Sequence, residues 1–322
     1  MNHLVVLTVS TGATETIPPA EANTMVQTHH SSPSHMGYEL LSVSTSGTQT
    51  PTMEDPPAAI ADDGGGGRGN PPPLRPLNLL GLLPTYRPLT TEELAMVAQR
   101  YESVEAETTG VAQYKNDYIE LQQYKTLQAP SWINNAPLNM FLKILLDTHN
   151  GLDRQDDPLP SAAFSSFFWT KLLGDDEVFD FDRVCTWQQS TTIGDVFQLR
   201  YLFFPVNVDE DHWSLVVADF PAKTLRCLDS YGHRGTYYLN HAHEYLKHKH
   251  RQLYKEELPH WDLIESSPLV VPQQGNTWDC GPFICSYVHQ ILLGQTPSWP
   301  QSVVENYRHY IAYCLLQKHL ID

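Results

Sequence analysis

The first 80 of the 322 residues contain no lysine, no tryptophan and no phenylalanine. Serine, threonine, proline and glycine dominate there, with Gly64 to Gly67 and Pro71 to Pro73 as unbroken runs. A segment of that composition cannot bury enough apolar surface to offset its own ordering, so residues 1–82 are expected to be a disordered tail ahead of one folded domain, 83–322. Its apolar start, Leu4-Val5-Val6-Leu7, has no Lys or Arg ahead of it and soon meets polar residues, which argues against a secretory signal. Basic residues are scarce throughout: 20 Lys and Arg stand against 37 Asp and Glu, a formal charge of -17. That deficit excludes a general nucleic-acid binder, which needs concentrated positive charge to displace counterions from phosphates, and points to protein as the macromolecular partner. Also missing is any apolar run long enough to span a bilayer, so no membrane association is expected. Cysteine is sparse, with five at positions 185, 227, 280, 285 and 314. An odd, scattered set without close pairs fits reduced thiols in an intracellular compartment better than disulfides or a zinc site.

Within the folded part, Thr90-Thr91-Glu92-Glu93 predicts a capped helix, and Ser131 or Asn135 is expected to cap a second whose apolar stripe is Leu138, Phe141, Leu142, Leu145 and Leu146. Ala163 to Trp169 reads as a further packed helical stretch, and the acidic run Asp175 to Asp182 as a solvated loop. Three strands follow, at 202–208, 212–219 and 224–230, with Asp209-Glu210-Asp211 as the turn between the first two. A hairpin of the last two centred near residues 220 and 221 puts His212 opposite Asp229. The helix from Tyr237 to Leu258 carries His241, His243, His248 and His250, whose spacing scatters them over different faces and suits solvation rather than metal binding. A closing amphipathic helix, Val303 to Leu316, turns Tyr307, Ile311 and Leu315 inward.

The most informative stretch is Gln273-Gln274-Gly275-Asn276-Thr277-Trp278-Asp279-Cys280-Gly281-Pro282, a loop that feeds a cysteine into the start of an apolar helix. Pro282 suits a first turn, and Phe283, Ile284, Tyr287, Val288, Ile291 and Leu292 recur at helical spacing. A thiol at a helix start faces unpaired N–H groups and the positive pole of the dipole, surroundings that favour a thiolate and can hold an oxyanion. Taken singly, such a cysteine is more often buried structure, His212 a strand histidine and Asp229 a turn residue. Taken together they supply what acyl transfer needs: Cys280 as nucleophile, His212 as base and later acid, Asp229 to orient the imidazole, and Gln274 with the Cys280 N–H as oxyanion hole.

The order His212-Trp213, then Asp229-Ser230, then Gln274 to Gly281 resembles the SUMO-specific (sentrin-specific, Ulp-type) cysteine proteases. The likeness extends back through Trp132-Ile133-Asn134-Asn135, similar to the family's Trp-Leu-Asn-Asp, and Ser166-Phe167-Phe168-Trp169, similar to its Ser-Phe-Phe-Tyr. The resemblance implies an α+β, papain-like cysteine peptidase fold with a central mixed or antiparallel sheet flanked by helices. It implies a monomeric isopeptidase in nucleus or cytoplasm, without metal or organic cofactor, that cleaves after the Gly-Gly end of SUMO or a related ubiquitin-like protein in precursors or conjugates. It also makes Trp132, otherwise read as a core residue, and Trp213 the walls of a narrow tunnel that admits only glycine. Two departures stand out. Gly275 occupies the place of the family's proline, and Asn135 that of its aspartate, which leaves the identity of the modifier open. An acetyltransferase of the bacterial-effector type would carry Glu where Asp229 stands, and a non-catalytic modifier-binding module would have no need of the complete set.

Overall fold

The structure, a computed structural model, describes residues 83–152, 158–187, 194–208, 211–232, 235–265 and 271–321. The segment assigned to a disordered tail and the turn residues Asp209 and Glu210 lie outside them. Its elements, in chain order, are α1 (Thr91–Tyr101), β1 (Gly110–Tyr114), β2 (Asp117–Glu120), α2 (Leu121–Lys125), α3 (Asn135–Asn150), β3 (Ala162–Ala163), α4 (Phe167–Leu173), β4 (Tyr201–Val208), β5 (His212–Asp219), β6 (Thr224–Leu228), α5 (Gly235–Tyr254), β7 (Asp262–Ile264), α6 (Cys280–Leu292) and α7 (Gln301–Gln317). β3 to β7 form one sheet in sequence order, antiparallel through β4, β5 and β6 and parallel at both ends. β1 and β2 pair separately.

Strand side chains alternate between faces, and here both faces are covered, so β4 and β5 are apolar nearly throughout. Tyr201, Phe203, Trp213, Leu215 and Val217 pack into a core shared with α3, α6 and α7. Leu202, Phe204, Val206, Val216 and Ala218 pack on the other side against α4 and α5. α6 lies in the first of these cores, with every residue from Cys280 to Leu292 buried. A helix buried on all sides is apolar all round, which is why its sequence reads as a nearly continuous apolar run.

The predicted capping box at α1 is present: Thr90 accepts from the Glu93 N–H, and Glu93 accepts in return from the Thr90 N–H. α3 departs from expectation. Its cap is Asn134, whose side chain accepts from the Ala136 N–H at 2.9 Å, rather than Ser131 or Asn135. The Thr126 hydroxyl fixes the Asn134 N–H at 2.9 Å in extended backbone, and Asn135, already helical, turns its amide to Ser166. The helix expected over 163–169 begins only at Phe167, because Ala162 and Ala163 join the sheet and the Phe164 N–H donates to Phe203.

The β5–β6 register also differs. Leu215 lies opposite Leu228, not Arg226, a shift of two residues from the predicted pairing. The turn occupies the four residues between Asp219 and Thr224, with the Asp219 carboxylate accepting from the Ala222 N–H at 3.0 Å and Lys223 in left-handed backbone. A one-residue slip would have exchanged the faces of the strand; a slip of two preserves them. His212 and Asp229 thus stay on one side of the sheet, and Asp229, just past the end of β6, reaches the imidazole diagonally.

Candidate active site

Asn276 folds the loop before α6. Its side-chain oxygen accepts from the N–H groups of Trp278 and Asp279, and its amide donates to Asp279 at 2.7 Å. These bonds close a turn of the kind Asn forms with the backbone two and three residues on. They deliver Cys280 to the first position of α6, where its sulfur is sealed from solvent. Gly281 permits the close approach of the next layer, since a Cβ there would sit 3.1 Å from Ile133 and 3.3 Å from the Trp213 ring.

β5 presents His212 at its first residue. The ring Nε2 meets both oxygens of Asp229 at 3.1 Å, which leaves Nδ1 for the Cys280 thiol in hydrogen-bonding contact with the ring. Asp229 is fully buried, and its Oδ1 also accepts from the N–H groups of Tyr231 at 2.7 Å and Gly232 at 2.8 Å. Burial opposes a charge on either group, but the hydrogen bonds and charges outweigh it. The His212 imidazole is pushed up to about 9 by Asp229 and Cys280, and the Asp229 carboxyl is held below its ordinary value by His212 and the two N–H groups. Their contributions to stability have opposite signs in pH. That of His212 is complete below its ordinary value of about 6.5 and is lost as pH rises through about 9; that of Asp229 is present above the ordinary carboxylate value and fades as pH falls through its depressed one.

Gln274 stands across from this pair. Its backbone N–H donates to the Ser230 carbonyl at 2.9 Å, and its side-chain Nε2 donates to the Asn276 carbonyl at 2.6 Å, so the amide is anchored between the end of β6 and the cysteine loop.

Trp132, Ile133, Asn207, His212 and Trp213 line one cleft. The Trp213 indole is buried and donates to the Ile133 carbonyl at 2.9 Å; the Trp132 indole, 48% exposed, donates across to the Thr277 carbonyl. The core reading of Trp132 therefore fails. The structure thus brings Cys280, His212 and Asp229 into direct contact, with Gln274 on the same loop as the cysteine and both tryptophans on the cleft that reaches His212.

One residue at this site escaped the sequence reading. Arg308 of α7 is 1% exposed and donates to Asp279 Oδ1 through Nε at 3.0 Å and Nη2 at 2.8 Å, to the Trp278 carbonyl at 2.6 Å, and to the Ser131 carbonyl at 2.8 Å. Gln301 of the same helix donates to Asp279 Oδ2 at 2.7 Å. A single guanidinium therefore joins the residues that precede Cys280 to the residue that precedes Trp132. Its signal was present: Val304, Arg308, Ile311 and Leu315 share one helical stripe, so the arginine had to be buried and had to find a carboxylate.

The histidines of α5 are less solvated than predicted. His241 stacks on Phe179 with centroids 5.9 Å apart, and His248 on Phe181 at 5.2 Å.

Residues 131–320 match the profile of the Ulp1 protease family, C-terminal catalytic domain. Mouse sentrin-specific protease 2 is 27% identical over 199 residues, which make up 61% of this chain and 32% of that protein. Human sentrin-specific protease 3 is likewise 27% identical over 199 residues, 62% of this chain and 32% of its own length. The chain thus spans about a third of the length of these relatives. Among solved structures, the C-terminal Ulp1 protease domain in complex with Smt3, the yeast ortholog of SUMO, aligns with a TM-score of 0.60 at 23% identity, covering 74% of this chain and 98% of that one. The Ulp1-like SUMO protease catalytic domain of Chaetomium thermophilum aligns with a TM-score of 0.59 at 21% identity, over 77% and 95%. These two likenesses establish the fold, an α+β arrangement of Ulp1 type.

Proposed function

Because the chain belongs to the Ulp1 protease family and carries its C-terminal catalytic domain, we propose that it is a cysteine isopeptidase that cleaves after the Gly-Gly end of SUMO, from precursors or from target lysines. The observation that carries this reading is the contact series Cys280, His212, Asp229, which meets through His212 a cleft lined by two tryptophans. We assign the catalytic domain to residues 83–322 and place the protein in nucleus or cytoplasm, where its five unpaired cysteines would stay reduced.

In this mechanism the Gly-Gly tail threads between Trp132 and Trp213, where any Cβ would meet an indole. The Cys280 thiolate attacks the carbonyl carbon of the last glycine, and the oxyanion is held by the Cys280 N–H and the Gln274 amide. The His212 imidazolium gives its proton to the departing lysine nitrogen as the C–N bond breaks, which leaves a thioester. Acylation removes the negative sulfur that helped raise the imidazole. The ring, having given up its proton, then stays neutral and is free to take one from the water that attacks the thioester, and Cys280 leaves as thiolate.

The acid role sets the basic limb of the pH profile. For an amide substrate, kcat/KM should fall by one proton as pH rises through about 9, where the imidazolium is lost. Steady-state rates that show a basic limb at about 9 would agree; a basic limb centred near the ordinary imidazole value would contradict the raised imidazole.

Specificity for another ubiquitin-like modifier is a second reading, favoured by Asn135 in place of the family's aspartate. It separates from the first by labelling. Ubiquitin-like proteins carrying a cysteine-reactive electrophile in place of the last glycine are offered in turn and the adduct is located by mass. An adduct on Cys280 with SUMO alone supports the proposal, an adduct with another member moves the specificity, and no adduct with any member leaves a binding module.

A further inference from the structure

We propose that Ser230 is a positioning residue that fixes which way round the Gln274 amide faces, and so makes Gln274 an oxyanion donor. The inference rests on the reading of the site as a cysteine peptidase.

A glutamine amide is nearly symmetric in shape and opposite in chemistry at its two ends: the nitrogen donates, the oxygen only accepts. Turned the wrong way, Gln274 would set a partial negative charge against a developing oxyanion. Two contacts determine the orientation. The Asn276 carbonyl, which can only accept, lies 2.6 Å from Nε2 and so demands nitrogen there. At the other end the fully buried Ser230 hydroxyl donates to Oε1 at 2.6 Å, while the Ser230 carbonyl takes the Gln274 backbone N–H at 2.9 Å. The amide nitrogen carries two hydrogens; Asn276 engages one, and the second is the one the oxyanion would meet.

Ser230 follows Asp229 directly, and Gln273 donates to the Asp229 carbonyl at 3.1 Å. The two consecutive residues at the end of β6 therefore serve different halves of the chemistry. Asp229 orients the imidazole, and Ser230 orients the amide that receives the charge. A hydroxyl is needed for the second task because it can rotate its hydrogen onto Oε1. Alanine would leave the oxygen of the half-buried amide without that donor and let the group turn or tilt.

The test compares Ser230→Ala, Ser230→Thr, Gln274→Ala and the double variant Ser230→Ala/Gln274→Ala. Each is assayed for hydrolysis of a fluorogenic Gly-Gly amide of the modifier that labels Cys280, and for alkylation of Cys280 by iodoacetamide across pH. Gln274→Ala is expected to lower kcat by about 10²-fold and Ser230→Ala by about 10-fold, with KM within about twofold in both. Ser230→Thr should restore most of the loss. In the Gln274→Ala background, Ser230→Ala should cost less than about twofold, because its only route of action is gone. The alkylation profile should match that of the unaltered chain, because the thiol and imidazole are untouched. Equal losses in the two backgrounds, or an altered alkylation profile, would show that Ser230 acts through Asp229 or through folding and would overturn the proposal. Absence of turnover by the unaltered chain would instead overturn the peptidase reading, and this inference with it.

Discussion

On the proposed function, Cys280→Ser is expected to abolish turnover of a Gly-Gly amide, a loss of at least about 10⁴-fold, while modifier binding by calorimetry should stay within about threefold. The size of the effect follows from the proton inventory. A serine hydroxyl is a far weaker acid than a thiol and gives a far poorer nucleophile beside His212. Binding survives because oxygen is the smaller atom, so the fully buried position at the start of α6 is not overfilled. Retained hydrolysis above about a hundredth of the original rate would sink the assignment of the nucleophile. Loss of binding together with turnover would mean that the substitution had disturbed the cleft instead.

Asp229→Asn is expected to lower kcat/KM by about 10³- to 10⁴-fold without a comparable loss of folding. Oδ1 already accepts from two backbone N–H groups, so in the variant the amide oxygen has to stay there and the amide nitrogen takes the place of Oδ2. That nitrogen is a donor aimed at His212 Nε2, at present 3.1 Å from the carboxylate. The imidazole must then accept at Nε2 and carry its hydrogen on Nδ1, toward Cys280. It becomes the wrong tautomer for a base and loses the counter-charge that raised it. Alkylation of Cys280 should slow at neutral pH and regain its rate as pH rises. A variant whose alkylation profile matches that of the unaltered chain would remove Asp229 from the mechanism.

Much of this arrangement was legible in the residues themselves. The loop–cysteine–apolar run at 273–292 reads as a helix start because Pro282 and the apolar periodicity agree, and the helix begins at Cys280. The hairpin was legible in kind but not in register. Its turn is set by the Asp219 side chain and the left-handed Lys223, details that hydrophobic alternation does not encode. His212 and Asp229 nonetheless met, because a two-residue error preserves the face of a strand. Trp132 was the opposite case. By composition it belongs in a core, and only its place beside an Ile-Asn-Asn run, matched to a known pattern, put it on the cleft. Arg308 was hidden by a habit of reading: a charge on an amphipathic helix is assigned to water unless its position on the stripe is checked. Ser230 was hidden by its neighbour, since a hydroxyl beside a carboxylate draws no notice until the amide it holds is seen.

The Arg308 bridge has a consequence for the timing of synthesis. Domains generally fold as units, so a domain is complete only once its last element has left the ribosome. Cys280, His212 and Asp229 all emerge before residue 301, yet the carboxylate of Asp279 finds its guanidinium and the side chain of Gln301 only on α7. Until that helix docks, the Asp279 carboxylate beside Cys280 has no cation, and the loop that carries Cys280 lacks the Arg308 bridge to the segment that carries Trp132. A nascent chain that has made every other element would therefore hold its reactive groups without the frame that aligns them. On the proposed function, competence would arrive with the last helix in the described chain, as a single late event instead of a gradual gain.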